Sequence, residues 1–89
     1  MNREGIFLTY LQHLALVYPN PNIGTFNVSL TDPSTVSSIE IYSSTGQLVR
    51  GISTNGKTEF TVSGIANGYY NLSIVGTNER LVTPIVVSK

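Results

Sequence analysis

A period of two in the apolar residues constrains this chain more than any other feature of its sequence. From residue 25 onward, apolar and polar residues alternate over short runs that glycine, proline and asparagine interrupt. In residues 69–74, Leu72 and Ile74 alternate with Asn71 and Ser73. Successive side chains of a strand point to opposite faces of a sheet, so such runs predict strands with one buried face. Abundant valine, isoleucine and threonine agree, because β-branched side chains fit a pleated sheet better than a helix.

Turn signals divide the chain into strands of similar length. We predict six strands after residue 24, near residues 25–30, 36–42, 47–53, 57–63, 69–74 and 80–88. A seventh is expected near residues 16–18. Residues 43–46 predict a hairpin loop in which Gly46 has a positive φ, and Asn55-Gly56 predicts a second hairpin. This spacing is typical of an all-β fold, an immunoglobulin-like antiparallel β-sandwich of about seven strands.

The composition narrows the functional classes. The chain has 89 residues, room for one small domain, and neither cysteine nor tryptophan. Without cysteine there is no disulfide framework and no thiol nucleophile, so packing must stabilise the fold. Charged residues make up 11% of the chain, against about 25% in a typical soluble domain, and the net charge is zero. Neither nucleic-acid binding nor direct membrane insertion is expected from such a chain.

The polar residues do not form a recognisable catalytic or metal-binding pattern. His13 is the single histidine, and Asp32 lies in a turn where its carboxylate is expected to bond to its own backbone. Glu40, Glu59 and Glu79 fall on or beside separate predicted strands and are expected to face outward. We therefore predict that the chain is not an enzyme and uses no cofactor or metal.

The first fifteen residues differ from the rest. Ile6, Tyr10 and Leu14 are spaced as on an amphipathic helix, while the apolar stretch is too short to span a membrane and lacks a signal-peptide cleavage site. We assign residues 1–15 to a linker, a fragment or a segment introduced by cloning. Residues 16–89 form the predicted domain.

A stiff segment precedes the first strong strand. Tyr18, Pro19, Asn20 and Pro21 stand in a row, and each proline fixes its own φ and favours an extended residue before it. Both prolines lack an N–H group, which protects an exposed sheet edge, and Gly24 permits a turn before the strand.

With the downstream spacing, this segment resembles the type A C-terminal sorting domain of the type IX secretion system of Bacteroidetes. Tyr-Pro-Asn-Pro at residues 18–21, Tyr-x-x-x-Gly-x-x-Val at 42–49, the Gly-x-Tyr element at 68–70 and a final apolar strand with lysine follow in family order. The chain departs from the family at Pro84, where a lysine is common, and at Ser88. The candidate recognition residues are Tyr18, Pro19, Asn20, Pro21, Gly24, Gly46, Gly68, Tyr70, Ile85, Val86, Val87 and Lys89.

The resemblance implies a sorting signal for a larger passenger protein fused on its N-terminal side. The implied partners are the type IX secretion machinery and a cell-surface sortase, which removes the domain and anchors the passenger. The passenger would pass through the periplasm to the outer-membrane surface or the extracellular space. Exposed strand edges would also permit weak self-association.

Two other functions compete with sorting. An immunoglobulin-like carbohydrate-binding or adhesive module would use Tyr42 and Tyr69 as a stacking platform for sugars. A structural spacer between domains would fold without any transport activity.

Overall fold

The alternating residues form eight strands in a computed structural model, which describes residues 9–11, 15–19 and 22–89. The strands are β1 (Thr9–Leu11), β2 (Ala15–Tyr18), β3 (Phe26–Leu30), β4 (Val36–Ser43), β5 (Leu48–Ser53), β6 (Glu59–Val62), β7 (Gly68–Gly76) and β8 (Arg80–Val87). The seven predicted strands correspond to β2–β8, and β1 is an additional one. The described residues contain no helix long and apolar enough to cross a membrane.

The strands form two four-stranded antiparallel sheets. Sheet A has the order β1-β2-β3-β6, and sheet B has the order β5-β4-β7-β8. The predicted all-β sandwich is confirmed.

The core lies between the two sheets and consists of the residues on one parity of each strand. In β3, Phe26, Val28 and Leu30 are buried while Asn27 and Ser29 are half-buried on the other side. The facing side chains of sheet B come mainly from β4, β7 and β8, and include Ile39, Ile41, Leu72, Ile74, Ile85 and Val87. Burial of these aliphatic side chains is the main stabilising contribution in a chain without disulfides.

Two predicted turns form as expected. Asp32 caps a short 3₁₀ turn, Pro33–Thr35, by accepting hydrogen bonds on Oδ1 from the Ser34 N–H at 3.1 Å and the Ser34 hydroxyl at 2.7 Å. The loop between β4 and β5 closes with the Ser43 N–H donating to the Gln47 carbonyl at 2.8 Å, and Gly46 has φ +93°.

The prediction of a hairpin at Asn55-Gly56 is wrong. The turn itself exists, with φ +49° at Asn55, φ +78° at Gly56 and the Lys57 N–H donating to the Thr54 carbonyl at 2.9 Å. However, the turn joins β5 of sheet B to β6 of sheet A, so the flanking strands do not pair with each other. Buried Thr54 anchors the crossing, because its hydroxyl donates to the Val36 carbonyl at 2.8 Å.

The helical spacing predicted for the first fifteen residues is wrong at Thr9–Leu11. There the backbone is extended and pairs with β2, with Thr9 opposite Val17 and Leu11 opposite Ala15. Pairing with an available sheet edge therefore overrides the local helical pattern at these residues. Ile6, His13 and Leu14 lie outside the described residues.

Ser73 also differs from the alternating pattern. The pattern places it on the outer face of β7, yet only 1% of its surface is exposed. Arg80 lies over it and donates to its hydroxyl oxygen at 2.9 Å. A long side chain from the neighbouring strand thus covers a small one on the outer face.

Candidate recognition surface

The strand directions bring the separated sequence motifs to one end of the sandwich. In sheet B, Ser43 at the end of β4 lies opposite Tyr70 near the start of β7, and Val87 at the end of β8 lies opposite Gly68. In sheet A, the end of β6 lies opposite the start of β3, beside the end of β2. Residues 22–25, 43–47, 63–68 and 88–89 therefore form one end of the molecule, which we term the motif end. Residues 31–35, 54–58 and 77–79 form the opposite end.

Asn22 joins the segment after β2 to the last strand. Its N–H donates to the Val86 carbonyl at 3.0 Å, and its carbonyl accepts from the Ser88 N–H at 2.8 Å. These two bonds make a short parallel bridge between Asn22 and Val87, which we term the clasp. Asn22 is buried, and its Oδ1 accepts from the Gly24 N–H at 2.8 Å. The clasp therefore connects the chain entering sheet A to the free edge of sheet B.

Gly24 lies where three segments meet. Its φ is +105°, and a Cβ at this position would be 3.0 Å from the Ile65 carbonyl oxygen and 3.0 Å from Lys89 Cε. The Ile65 N–H also bonds to the Gly24 carbonyl at 3.4 Å. Both the backbone conformation and the available space require glycine here.

The loop between β6 and β7 is held against the last residues of the chain. The Tyr70 hydroxyl donates to the Ala66 carbonyl at 2.6 Å, and the Lys89 N–H donates to Asn67 Oδ1 at 3.0 Å. Tyr70 is half-buried against the core, while neighbouring Tyr69 is 71% exposed. The opposite orientation of two adjacent tyrosines confirms the alternation predicted for this strand.

Most of the predicted recognition residues can be located at this end of the molecule. Those at or bordering the motif end are Tyr18, Pro19, Gly24, Gly46, Gly68, Tyr70, Ile85, Val86, Val87 and Lys89. Asn20 and Pro21 lie outside the described residues. The role of these residues in recognition stays a prediction.

A group of exposed apolar residues, not predicted from the sequence, lies at or beside the motif end. Ile23 is 72% exposed in the loop before β3, and Leu48 and Val49 are 57% and 42% exposed at the start of β5. The available signal was the pair Leu48-Val49, which begins two residues after the hairpin glycine Gly46, because two adjacent apolar residues of a strand cannot both face the core. Val82, also 57% exposed, lies away from the motif end, on the outer face of the edge strand β8 opposite Ser73.

Acidic side chains are distributed unevenly between the two ends, whereas basic side chains lie at both, with Lys57 and Arg80 at or beside the opposite end. Arg50 and Lys89 border the motif end, and Arg50 Nη2 donates to the Ser63 carbonyl at 3.1 Å. Of the acidic side chains in the described residues, Asp32, Glu59 and Glu79 lie at or beside the opposite end. The fourth, Glu40, lies in the middle of β4.

Glu40 belongs to a hydrogen-bonded network on the outer face of sheet B. Its Oε1 accepts from the Tyr42 hydroxyl at 2.7 Å and from Arg80 Nη1 at 3.2 Å. The adjacent Tyr42 hydroxyl and Glu40 carboxylate raise the pKa of Arg80 above its ordinary value. Glu40 faces outward as predicted, and its carboxylate forms an ion pair with the guanidinium of Arg80.

The described residues hold no group of three or more His, Cys, Asp or Glu side chains placed to bind a metal ion.

Comparisons with known proteins give one family and one fold. The family described as "Secretion system C-terminal sorting domain" matches residues 16–88. No curated protein matches the chain. A crystal structure of a DUF3244 family protein from Bacteroides vulgatus, described as an immunoglobulin-like β-sandwich, is similar with a TM-score of 0.69 at 17% sequence identity. The similarity covers 93% of this chain and 94% of that one, and it confirms the immunoglobulin-like fold.

Proposed function

Because this chain belongs to the family of secretion system C-terminal sorting domains, we propose a complete route for the passenger that it carries. The domain is a type IX secretion sorting signal. It associates with the type IX secretion machinery and directs the export of a fused N-terminal passenger to the outer membrane or cell surface. In the proposed route, the passenger crosses the periplasm, a cell-surface sortase removes the domain, and the passenger is anchored at the surface. The family match over residues 16–88 is the observation that carries the proposal.

We propose further that the domain acts as a recognised tag and supplies no catalytic group. Three of its acidic side chains already have structural partners. Asp32 caps a turn, Glu40 binds Arg80 and Tyr42, and Glu59 Oε2 accepts from the Ser29 hydroxyl at 3.5 Å. Groups used in this way support a role in shape and stability rather than in proton transfer.

The proposed route is tested by fusing a reporter ahead of residues 1–89, behind an inner-membrane export signal, in a bacterium with a type IX system. We expect the reporter on the cell surface without the domain attached. In a strain lacking the sortase, we expect the same reporter with the domain still attached. A reporter retained in the periplasm would contradict the sorting function, and a surface reporter that keeps the domain in both strains would contradict removal by the sortase.

The geometry of the tyrosines argues against the alternative function, the binding of sugars. Tyr42 and Tyr69 share the outer face of sheet B, since Tyr42 lies opposite Asn71, two residues after Tyr69. Tyr42 is half-buried with its hydroxyl bonded to Glu40, whereas Tyr69 is open. One open ring is a smaller platform than the two or three aromatic residues of a typical sugar-stacking face. The reporter assay separates sorting from the spacer function, because a spacer would leave the reporter in the periplasm.

A further inference from the structure

We propose that the motif end is the surface that docks on the secretion machinery, and that its partner is a protein surface with an apolar pocket bordered by carboxylates. This inference rests on the proposed function and names the part of the domain that the machinery contacts. Exposed apolar side chains, the distribution of charge and the rigidity of the motif end support it.

The first support is the location of the exposed apolar side chains. Ile23, Leu48, Val49 and Tyr69 lie at the motif end or on the first residues of the strands that leave it. Among the large apolar side chains that are exposed in the described residues, only Val82 lies away from this end. Exposed apolar groups gathered in one region favour a protein-binding surface, and tyrosine is among the residues that contribute most to binding energy at interfaces.

The second support is the sign of the charge. Arg50 and Lys89 border the motif end, while every acidic side chain in the described residues lies elsewhere. Asp32, Glu59 and Glu79 are at or beside the opposite end, and Arg80 neutralises Glu40. A partner with carboxylates around an apolar pocket would therefore be attracted to the motif end and would not be attracted in the reverse orientation.

The third support is the rigidity of the surface. The clasp, the Lys89–Asn67 bond and the Tyr70–Ala66 bond tie the loops of the motif end to the strands. A surface that is already ordered loses little conformational entropy when it binds, so a small apolar contact area is sufficient for recognition.

The apolar part of the proposal is tested in the same reporter assay with a motif-end double variant and a single control variant away from that end. Leu48 and Val82 are both on sheet B and both 57% exposed, but only Leu48 borders the motif end. We expect the Leu48→Ser, Tyr69→Ser double variant to reduce surface reporter about tenfold or more, as expected for the loss of interface anchors. We expect Val82→Ser to stay within about twofold of the unaltered domain, because single surface substitutions outside an interface change little.

Folding of the variants is checked by circular dichroism and thermal unfolding of the purified domain. Ile23→Ser gives a second test, since Ile23 lies in a loop and its side chain is 72% exposed. If the unaltered domain directs export of the reporter and both motif-end variants direct it equally well, the proposed docking surface is wrong. If the unaltered domain does not export the reporter, the proposed function itself is wrong.

The charge part is tested with a matched pair of variants. Lys89 lies at the motif end and Lys57 at the opposite end, and both are exposed. We expect Lys89→Glu to reduce export severalfold and Lys57→Glu to leave it unchanged. Equal export by both variants would contradict a partner with carboxylates. Sedimentation of the unaltered domain with phosphatidylglycerol vesicles would also contradict the proposal, because it would identify an anionic lipid surface as the partner instead of a protein.

Discussion

Gly24 and Gly46 show how two residues with similar backbone angles differ in what surrounds them. Both have positive φ, +105° and +93°, a conformation that costs other residues about 1–2 kcal/mol. A Cβ on Gly24 would approach the Ile65 carbonyl to 3.0 Å, whereas a Cβ on Gly46 would meet no atom within 4 Å. Gly24 is therefore constrained by both conformation and space, and Gly46 by conformation alone.

We expect Gly24→Ala to destabilise the domain more than Gly46→Ala. The Gly46→Ala variant should lose about 1–2 kcal/mol of unfolding free energy from strained φ. Gly24→Ala should lose a further amount of about 1–3 kcal/mol, because the neighbouring backbone must move. Urea unfolding of the two variants measures the difference, and equal losses would contradict the close approach at Gly24.

Single residues also show what the sequence pattern could predict. Alternation predicts that the adjacent Tyr69 and Tyr70 point to opposite faces of their strand, because strand geometry alone decides this. The structure places Tyr70 against the core and Tyr69 outside. Alternation failed at Ser73, whose burial depends on Arg80 reaching across from β8. Contacts of that kind depend on the pairing of strands, which a local pattern does not contain.

Among the structural elements, the clasp is the one that joins the two ends of the domain sequence. It consists of two backbone hydrogen bonds that Asn22 makes with the chain around Val87, at 3.0 and 2.8 Å. One of them uses the Ser88 N–H, so a residue without that group removes the bond while leaving the strand in place.

We expect Ser88→Pro to loosen the clasp and Ser88→Ala to leave it intact. Loss of one hydrogen bond of about 1 kcal/mol should lower the exchange protection of the Asn22 N–H by about fivefold. Alanine keeps the N–H and removes only an exposed hydroxyl, so it serves as the control. Native-state hydrogen exchange of the two variants provides the measurement. Unchanged protection in Ser88→Pro would show that the second bond alone holds the segment.

At Asn55-Gly56, the sequence predicts the turn but not the sheet that the next strand joins. The dipeptide forms the turn its residue types favour, with positive φ at both positions. Whether the chain then returns to the same sheet depends on partners far away in sequence, and here β6 pairs with β3 instead of β5. Turn chemistry is local, while the choice of sheet is set by packing of the whole core.

For the molecule as a whole, the boundary of the folded unit can be tested at β1. This strand has three residues, pairs with β2 alone and precedes the region that matches the family. Residues from Ala15 onward supply buried side chains from both sheets to the core. The domain should therefore fold without β1.

We expect a variant lacking residues 1–14 to remain folded and to lose about 1–3 kcal/mol of unfolding free energy, as expected for a few edge hydrogen bonds. A variant lacking only residues 1–8 keeps β1 and serves as the control for the loss of this strand. Circular dichroism and urea unfolding of both variants provide the measurements. An unfolded chain after removal of residues 1–14 would show that β1 is essential to the fold.

For the whole molecule, the sequence identifies the separate motifs of the candidate site but does not predict that they lie together. Each motif was visible as residue types, for example the prolines before Gly24 or the glycine before Tyr69. Their gathering at one end follows from the order and direction of the strands, since Gly68 and Val87 are opposite each other only once β7 and β8 pair. The exposed apolar side chains beside them could not be predicted before the edges of the sheets were known.

The clasp also has a consequence for the order of events during synthesis. Asn22 is made early in the domain, but its backbone partners lie around Val87 and Ser88, near the far end of the same domain. The motif end is therefore incomplete until β8 has been made and has paired with β7. A chain that stops before Val86 lacks the backbone partners of Asn22 and cannot form the clasp.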